Sequence, residues 1–160
     1  MNDAQHLLER LDRLESAEAI RRLKAAYCAG CDDDHNPDTL TDLFWPDAVW
    51  EAAGIAHCEG ETAIRAFFQQ MRDGGTMRNS AHHAINPDIE VDGDTASGHW
   101  RLLMLWTGNA VGGDVQYQRI IGWYRERYER RNGIWKFKQL YCEVEESGPY
   151  TVEPSRMPGA

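Results

Sequence analysis

The apolar residues of this 160-residue chain follow two different spacings, and the change between them comes near residue 80. Before that point, residues such as Leu7, Leu11 and Leu14 recur every three or four positions, as on one face of an α-helix. After it, β-branched and aromatic residues form long runs broken by short polar turns, as in β-strands. Helices followed by consecutive strands predict an α+β fold, in which the helices cover one face of a strongly curved sheet.

The helical part divides into three segments. Residues 3–31 predict one helix, or two with a restart at Ser16. Pro37 is predicted to begin a short helix that extends through Phe44, because a first-turn position needs no amide donor. Residues 61–72 predict a third helix with one apolar face.

Turn sequences divide the second part into four antiparallel strands. The turns are predicted at residues 92–94, between residues 108 and 113, and at Asn132-Gly133. The Asn-Gly pair is the strongest hairpin signal, because a type I′ turn needs a positive φ at both central residues. A further short strand is predicted at residues 48–52.

Length and charge limit the class of protein. A chain of 160 residues can bury a complete core, and we expect a single domain over residues 1–147 with a proline-containing C-terminal tail over residues 148–160. The chain has 26 acidic and 17 basic residues, a net charge of −9, which disfavours binding to nucleic acid or to anionic lipid. The N-terminus is charged and no apolar run spans a bilayer, so we expect a cytoplasmic protein.

One cysteine pair has the spacing of a metal site. Cys28-x-x-Cys31 is followed by His35 and by His57-Cys58, but the second regularly spaced pair of a structural zinc site is missing. The interpretation we prefer is two small thiols packed at a helix end. The chain also has no glycine-rich phosphate loop after a strand, so we expect neither a metal nor a cofactor.

An acidic cluster ends the first helical segment. Asp32, Asp33 and Asp34 place negative charge at the negative end of the helix dipole, which costs about 0.3–1 kcal/mol per exposed charge. For Asp33 and Asp34 we expect a solvated turn. Asp32 follows Tyr27 by five residues on a helix that must face the sheet, so these two side chains can project toward one cavity.

Two histidines begin the first long strand. Adjacent strand residues point to opposite faces, so only one of His82 and His83 faces the helices. Alternation alone does not decide which one, and by this pattern each histidine is more readily structural than catalytic.

Several spaced motifs together resemble a known family. They are Ile20-x-x-Leu23-x-x-x-Tyr27-x-x-x-x-Asp32, Leu40-x-x-Leu43-Phe44-x-Pro46-Asp47-Ala48, Gly60-x-x-Ala63-Ile64, His82-x-x-x-Asn86, Ile89-x-Val91-Asp92-Gly93-Asp94-Thr95-Ala96 and Tyr128-Glu129-Arg130-Arg131-Asn132-Gly133-Ile134-Trp135-Lys136. Over about residues 15–145, the chain resembles the SnoaL-like branch of the nuclear transport factor 2-like superfamily. Within the branch it is most similar to lyases of the scytalone dehydratase, lindane dehydrochlorinase and bile acid 7α-dehydratase type.

The resemblance implies a fold and a catalytic pair. The fold is a cone-shaped α+β barrel, with N-terminal helices packed on a strongly curved mixed or antiparallel sheet around a deep apolar pocket. By motif, Asp32 is the aspartate that orients a histidine, His82 is that histidine, and Tyr27 matches a tyrosine of the bile acid enzymes. The family also implies a homo-oligomer, a dimer or trimer.

The sequence departs from these lyases on the leaving-group side. They carry an arginine near the position of Val144 or a second histidine where this chain has Trp106, and neither is present here. We still expect a cofactor-independent, dehydratase-type elimination from a hydrophobic cyclic small molecule, with His82 as base and Tyr27 as the available phenol. The residues expected to bind the substrate are Trp50, Trp106, Met104 and Phe68.

Two other functions remain open at this stage. An isomerase or cyclase uses the same base and returns the proton to another carbon, and a noncatalytic binding module or small subunit has the same fold.

A basic stripe follows the last strands. We expect it to be the solvated or subunit-facing side of the sheet rather than a site for a ligand carboxylate. Its members are Arg119, Arg125, Arg127, Arg130, Arg131, Lys136 and Lys138.

Overall fold

The computed structural model describes residues 3–75, 77, 79–109 and 115–151 of the chain. The helices are α1 (Asp3–Asp32), α2 (Pro37–Thr41) and α3 (Gly60–Gly74). The strands are β1 (Phe44–Ala52), β2 (Ala56–Glu59), β3 (Asn79–Asp92), β4 (Thr95–Asn109), β5 (Val115–Arg131) and β6 (Ile134–Pro149). No helix within these described ranges has the length and apolar composition needed to cross a bilayer.

The strands form a single six-stranded sheet in the order β2-β1-β6-β5-β4-β3. Neighbouring strands are antiparallel except for β1 and β6, which are parallel. The sheet is therefore mixed, and it curves strongly into a cone. Helix α1 packs along β3 and β6, and α3 packs against β1 and β2. This arrangement confirms the predicted α+β architecture.

The strand pattern in the second half of the chain is as predicted. Gly93 joins β3 to β4, with a φ of 56°. Asn132 and Gly133 join β5 to β6 and have φ values of 52° and 79°, the positive values that a two-residue type I′ hairpin requires. The predicted glycine turn at residues 112–113 lies outside the described residues.

The first half differs from the prediction in its boundaries. Helix α1 continues without a restart, because the Ser16 side chain is buried within it instead of capping a new helix. Helix α2 ends at Thr41, and β1 begins at Phe44, where the sequence predicted helix. Pro46 lies inside β1, at a shift in the pairing with β6, where a missing amide hydrogen breaks no ladder bond.

Two segments extend the sheet beyond the prediction. Strand β2 was not predicted, and it pairs with the end of β1. It is four residues long, too short for an alternation signal to stand out. Strand β6 continues to Pro149, two residues into the segment interpreted as a tail. Residues 152–160 lie outside the described part, so the proposed boundary after residue 147 stays a prediction.

Strand β3 contains a bulge that changes which residues face the helices. The pairing with β4 shifts by one residue between Ile85 and Asp88, and Asn86 has a φ of 52° there. Before the bulge the even-numbered positions are the better buried at His82 and Ala84, and after it the odd-numbered positions are. The bulge therefore moves the inward face of β3 by one position.

A buried ion pair joins α1 to the middle of the sheet. Lys24 Nζ lies 2.5 Å from Glu126 Oε1, and the two side chains are 1% and 0% exposed. The lysine also lies over the Tyr124 ring, 3.1 Å from its centroid. Tyr128 donates its hydroxyl hydrogen to Glu126, and Trp100 Nε1 donates to the Tyr128 hydroxyl at 3.0 Å. Each charge is thus surrounded by partners inside an otherwise apolar core.

Acidic neighbours neutralise much of the basic stripe. Arg119 pairs with Glu146, and Arg125 with Glu143. The remaining pairs are Arg130 with Asp12 and Asp94, Arg131 with Asp47 and Glu129, and Lys138 with Asp47. Such pairing is typical of a solvated face, as the sequence predicted.

Candidate active site

The end of α1 and the beginning of β3 bring Asp32 and His82 together. Asp32 Oδ1 lies 2.7 Å from His82 Nδ1, and both carboxylate oxygens accept from the His82 backbone amide at 3.1 Å. Ser80 also donates its hydroxyl hydrogen to Asp32 Oδ1, at 2.9 Å. These bonds fix the carboxylate against the strand, and the carboxylate in turn fixes the imidazole ring.

The electrostatics of the pair favour a charged carboxylate at Asp32. Burial raises the pKa of Asp32, but hydrogen bonds from the His82 ring, the His82 amide and Ser80 outweigh it and hold the pKa below its usual value. An ionised Asp32 accepts the hydrogen on Nδ1, which leaves Nε2 of His82 as the nitrogen with a free lone pair. The same bonds offset the cost of an acidic residue at the end of a helix.

The structure distinguishes His82 from His83. The His82 side chain is only 7% exposed, whereas His83 is exposed on the other side of the strand. Asp32 is 31% exposed, so the pair lies at the border between the interior and solvent. A cleft of about 400 Å³ between α1 and β3 reaches both residues, and Lys24 and Ile85 contribute to its walls. The pair is therefore accessible from the surface.

Tyr27 is buried in the core, five residues before Asp32 on α1. Its hydroxyl accepts a hydrogen bond from Trp50 Nε1 at 2.9 Å and is hydrogen-bonded to the Cys31 thiol one helical turn later. Burial raises the pKa of Tyr27 well above its usual value, so the phenol stays neutral. Both hydrogen-bonding functions of this hydroxyl are occupied by protein groups.

The four residues expected to bind the substrate lie in different environments. Trp50, Phe68 and Met104 are buried in the core, where Trp50 also packs on Phe67 with a ring centroid separation of 4.4 Å. Trp106 is half-buried, and its Nε1 is the one buried side-chain nitrogen or oxygen in the described ranges that has no hydrogen-bond partner. A buried N–H without a partner is costly, so this nitrogen suits an acceptor from outside the described residues.

The register of β3 and β4 puts Trp106 on the same face as His82. Met104 is opposite His82, and Trp106 is opposite Ser80, two residues further along β4. Residues two apart on a strand share a face, and diagonal neighbours across a strand pair are about 7–8 Å apart. The indole of Trp106 and the imidazole of His82 can therefore reach one bound molecule.

The sequence analysis did not connect His35 with the pair. This residue follows α1 in a turn with a φ of 52°, and its ring is buried edge-to-face on His82 with centroids 6.1 Å apart. Burial, and next the proximity of His82, lower the pKa of His35 to about 4, against weaker opposing effects of Asp34 and Asp32. The short polar turn of the sequence carries no signal for a buried imidazole.

Comparison with known proteins supports the same fold and chain length. Hexachlorocyclohexane dehydrochlorinase 1 of Sphingobium indicum is 31% identical over 131 residues, which are 81% of this chain and 82% of the relative. The crystal structure of a type 2 hexachlorocyclohexane dehydrochlorinase superposes with a TM-score of 0.79 at 28% identity, over 94% of this chain and 99% of the other.

A second solved structure and a family match agree. The type 3 hexachlorocyclohexane dehydrochlorinase of Novosphingobium barchaimii superposes with a TM-score of 0.76 at 30% identity, over 91% of this chain and 99% of the other. Residues 12–141 match the SnoaL-like domain. This range contains both members of the Asp32–His82 pair and all of the sheet up to the middle of β6. The chain belongs to the SnoaL-like domain family.

Proposed function

We propose that the protein is a cofactor-independent lyase that eliminates HX from adjacent carbon atoms of a hydrophobic cyclic small molecule. The observation that carries the proposal is the 2.7 Å contact between Asp32 and Nδ1 of His82, which leaves Nε2 to act as a base. Relatives that are 30–31% identical are dehydrochlorinases, and their names describe the removal of hydrogen and chlorine from hexachlorocyclohexane. This supports an elimination of the same kind here.

His82 removes the proton from carbon in this mechanism. Nε2 accepts the proton, and Asp32 stabilises the imidazolium that forms. The electrons of the broken C–H bond form the double bond, and the leaving group departs from the neighbouring carbon with its own bonding pair. The ring of His82 is only 7% exposed, so little water has to be displaced before the substrate approaches the base.

Trp106 is our candidate for the group that accepts the leaving atom. Its N–H is buried, has no partner in the described part of the chain, and lies on the same sheet face as His82. An indole is a hydrogen-bond donor only and transfers no proton, so it suits a leaving group that departs as a stable anion such as a halide. Departure of water, the other form of the reaction, needs a proton donor, and Tyr27 is the residue to test for it.

The core beside Tyr27 is aromatic. Trp50, Phe67 and Phe68 pack together beside Tyr27, and Met104 lies directly across from His82. Ring faces and a thioether favour an apolar cyclic molecule. The polar groups proposed to act are the base, the indole N–H and the phenol.

Substitution of the pair tests the proposal. His82→Gln and Asp32→Asn should each reduce elimination by at least about 10²-fold, the lower range of general base catalysis, with an unchanged circular dichroism spectrum. The assay measures halide release and product mass on a panel of chlorinated and hydroxylated cyclic compounds. His83→Gln, a neighbour on the opposite side of the strand, is the matched control and should keep full turnover. Full activity in both His82→Gln and Asp32→Asn would disprove the catalytic pair.

Two conservative variants identify the leaving group. If a halide leaves, Trp106→Phe should lower kcat more than Tyr27→Phe does, because only Trp106 has a free donor. If water leaves, Tyr27→Phe should have the larger effect. The product should then be about 18 mass units lighter than the substrate, because one water is lost. A product of unchanged mass would instead indicate the isomerase or cyclase alternative, and binding without turnover would indicate a noncatalytic module.

Assembly is a separate proposal. We propose a homo-oligomer, dimer or trimer, formed through the outer face of the sheet, where Trp123 and Tyr117 are exposed among charged residues. Sedimentation velocity at micromolar concentration tests it, and a purely monomeric protein would contradict it.

A further inference from the structure

Three side chains with metal-binding atoms meet beside the catalytic pair. The thiol sulfur of Cys31, a ring nitrogen of His35 and a ring nitrogen of His82 all lie within 4.8 Å of one another. We propose that these three residues bind a thiophilic divalent metal such as Zn²⁺, and that the bound metal blocks the base and inhibits the enzyme. The inhibition rests on the proposed function, whereas the metal binding does not.

The set of donors is one that zinc prefers. One thiolate and two imidazoles bind Zn²⁺ at about 2.3 Å and about 2.0–2.1 Å, which places tetrahedral ligand atoms about 3.4–3.6 Å apart. The widest separation here, 4.8 Å, therefore has to contract by roughly 1 Å on binding, within reach of small side-chain rotations. A fourth position remains for water, because three protein ligands leave a tetrahedral site open.

The surroundings of two ligands resemble the outer shell of known metal sites. Asp32 holds Nδ1 of His82 at 2.7 Å, so the nitrogen left for a metal is Nε2. Carboxylate–histidine–metal arrangements of this kind orient the ring and raise its basicity as a ligand. The Tyr27 hydroxyl is hydrogen-bonded to Cys31 and is itself fixed by Trp50. Burial raises the pKa of the Cys31 thiol, and the Tyr27 hydroxyl, which already accepts from Trp50, opposes this by directing its own hydrogen at the sulfur.

His35 has no other evident task in the fold. Its ring is buried, yet within the described ranges its contacts are the ring packing on His82 and backbone bonds of the turn, with no side-chain hydrogen bond. The left-handed backbone at this residue is uncommon for residues other than glycine. The turn is closed by the bond from the His35 amide to the Cys31 carbonyl, at 3.1 Å, which fixes the two ligands relative to each other.

Occupation of this site would be incompatible with base catalysis. A metal on Nε2 uses the lone pair that accepts the substrate proton, and Cys31 releases its thiol proton when the metal binds. The cleft beside Asp32 and His82 gives the metal a path from solvent. The proposed site is not the one that the Cys28-x-x-Cys31 spacing suggested, because only Cys31 of that pair is among the three ligands.

Metal titration of the full-length protein tests the inference. After treatment with a chelator, we expect one Zn²⁺ per chain by isothermal titration calorimetry, and Co²⁺ should give the near-ultraviolet thiolate band and strong visible bands of a tetrahedral site. Cys31→Ser should abolish the thiolate band. His35→Gln removes a direct ligand, so it should weaken metal binding by more than about 10-fold, the smallest loss expected even for a residue that only supports a ligand. Asp32→Asn should weaken it about 10–100-fold. Cys28→Ser, one turn earlier on the same helix, is the matched control and should bind normally.

The outcomes separate metal binding from catalysis. Titration needs no substrate, so an inactive protein that still binds Co²⁺ through Cys31 would disprove the elimination and leave the metal site intact. In active protein, stoichiometric Zn²⁺ should remove turnover and a chelator should restore it. Absence of a thiolate band with wild-type protein, or an unchanged band in Cys31→Ser, would overturn the inference.

Discussion

Replacement of Lys24 by methionine should destabilise the protein more than any comparable change on α1. The lysine lies 2.5 Å from Glu126, and neither side chain is more than 1% exposed. Methionine keeps much of the volume of the lysine stem but leaves the Glu126 carboxylate without its cation. Tyr128 still donates to Glu126, but one hydroxyl does not neutralise a buried charge.

The size of the effect comes from opposing contributions. With an effective dielectric constant of about 20, the attraction at this distance is about 7 kcal/mol, and desolvation of each ion costs several kcal/mol in the other direction. The intact pair is therefore nearly neutral overall. Removal of one partner leaves only the cost for the other, which in proteins is about 3–5 kcal/mol. That is a fifth or more of the roughly 5–15 kcal/mol that stabilises a typical domain.

Urea unfolding followed by tryptophan fluorescence measures this difference. With an m-value of about 2 kcal/mol/M, the unfolding midpoint of Lys24→Met should fall by about 2 M. The double variant Lys24→Met/Glu126→Gln should recover part of the loss, because it removes the unpaired charge. Arg22→Met, which breaks the exposed Arg22–Glu18 pair on the same helix, is the control and should change stability by less than about 0.5 kcal/mol. A loss below about 1 kcal/mol for Lys24→Met, or a double variant less stable than the single one, would refute the reasoning.

Three further predictions concern stability and reactivity. Gly122→Ala should lower the melting temperature, because an added Cβ would lie 2.1 Å from the Glu143 carbonyl oxygen at a bulge. Gly148→Ala meets open space and should leave the melting temperature unchanged, so equal effects of the two variants would contradict this prediction. Hydrogen bonding to Arg130 lowers the pKa of Asp12, so this pair stabilises the fold above the ordinary carboxyl pKa and stops doing so as the pH falls through the lowered value. In acid titrations, the free energy of unfolding of Arg130→Gln should therefore depend less on pH below about pH 4 than that of the wild type, and an unchanged curve would argue against the pair. Burial raises the pKa of Cys142 to about 11 and also raises the pKa of Cys28 and Cys58. The native protein should therefore react slowly with a thiol reagent at about pH 7.5, and the unfolded protein rapidly. Rapid reaction of the native thiols would show that they are not buried.

The sequence predicted the order of helices and strands because each long element carries its own periodic pattern. It misplaced the beginning of β1, since Pro46 is normally excluded from a strand and only the local shift in pairing with β6 makes it acceptable. It missed β2, whose pairing depends on the position of β1 rather than on its own four residues.

The site shows the same division between local and distant information. Asp32, His82 and Tyr27 were named from motifs, and the structure brings Asp32 and His82 into contact. Lys24 was not named, because a lysine on an apolar helix face is explained only by Glu126, 102 residues away. His35 was considered only as a partner of the cysteine pair, and its position over the His82 ring depends on where β3 lies against the turn after α1.

The bulge in β3 acts as a frame shift within the strand. Two adjacent histidines compete for the inward position, and packing of Ile89 and Val91 further along fixes the second half of the strand independently. With Ile89 and Val91 kept in place, the same residues in a regular strand without the bulge would place His83 instead of His82 opposite Asp32. The bulge at Asn86 therefore determines which imidazole reaches Asp32. A change that removes the bulge while keeping every residue, rather than substitution of the histidine, offers a route by which a protein with this fold can gain or lose this imidazole.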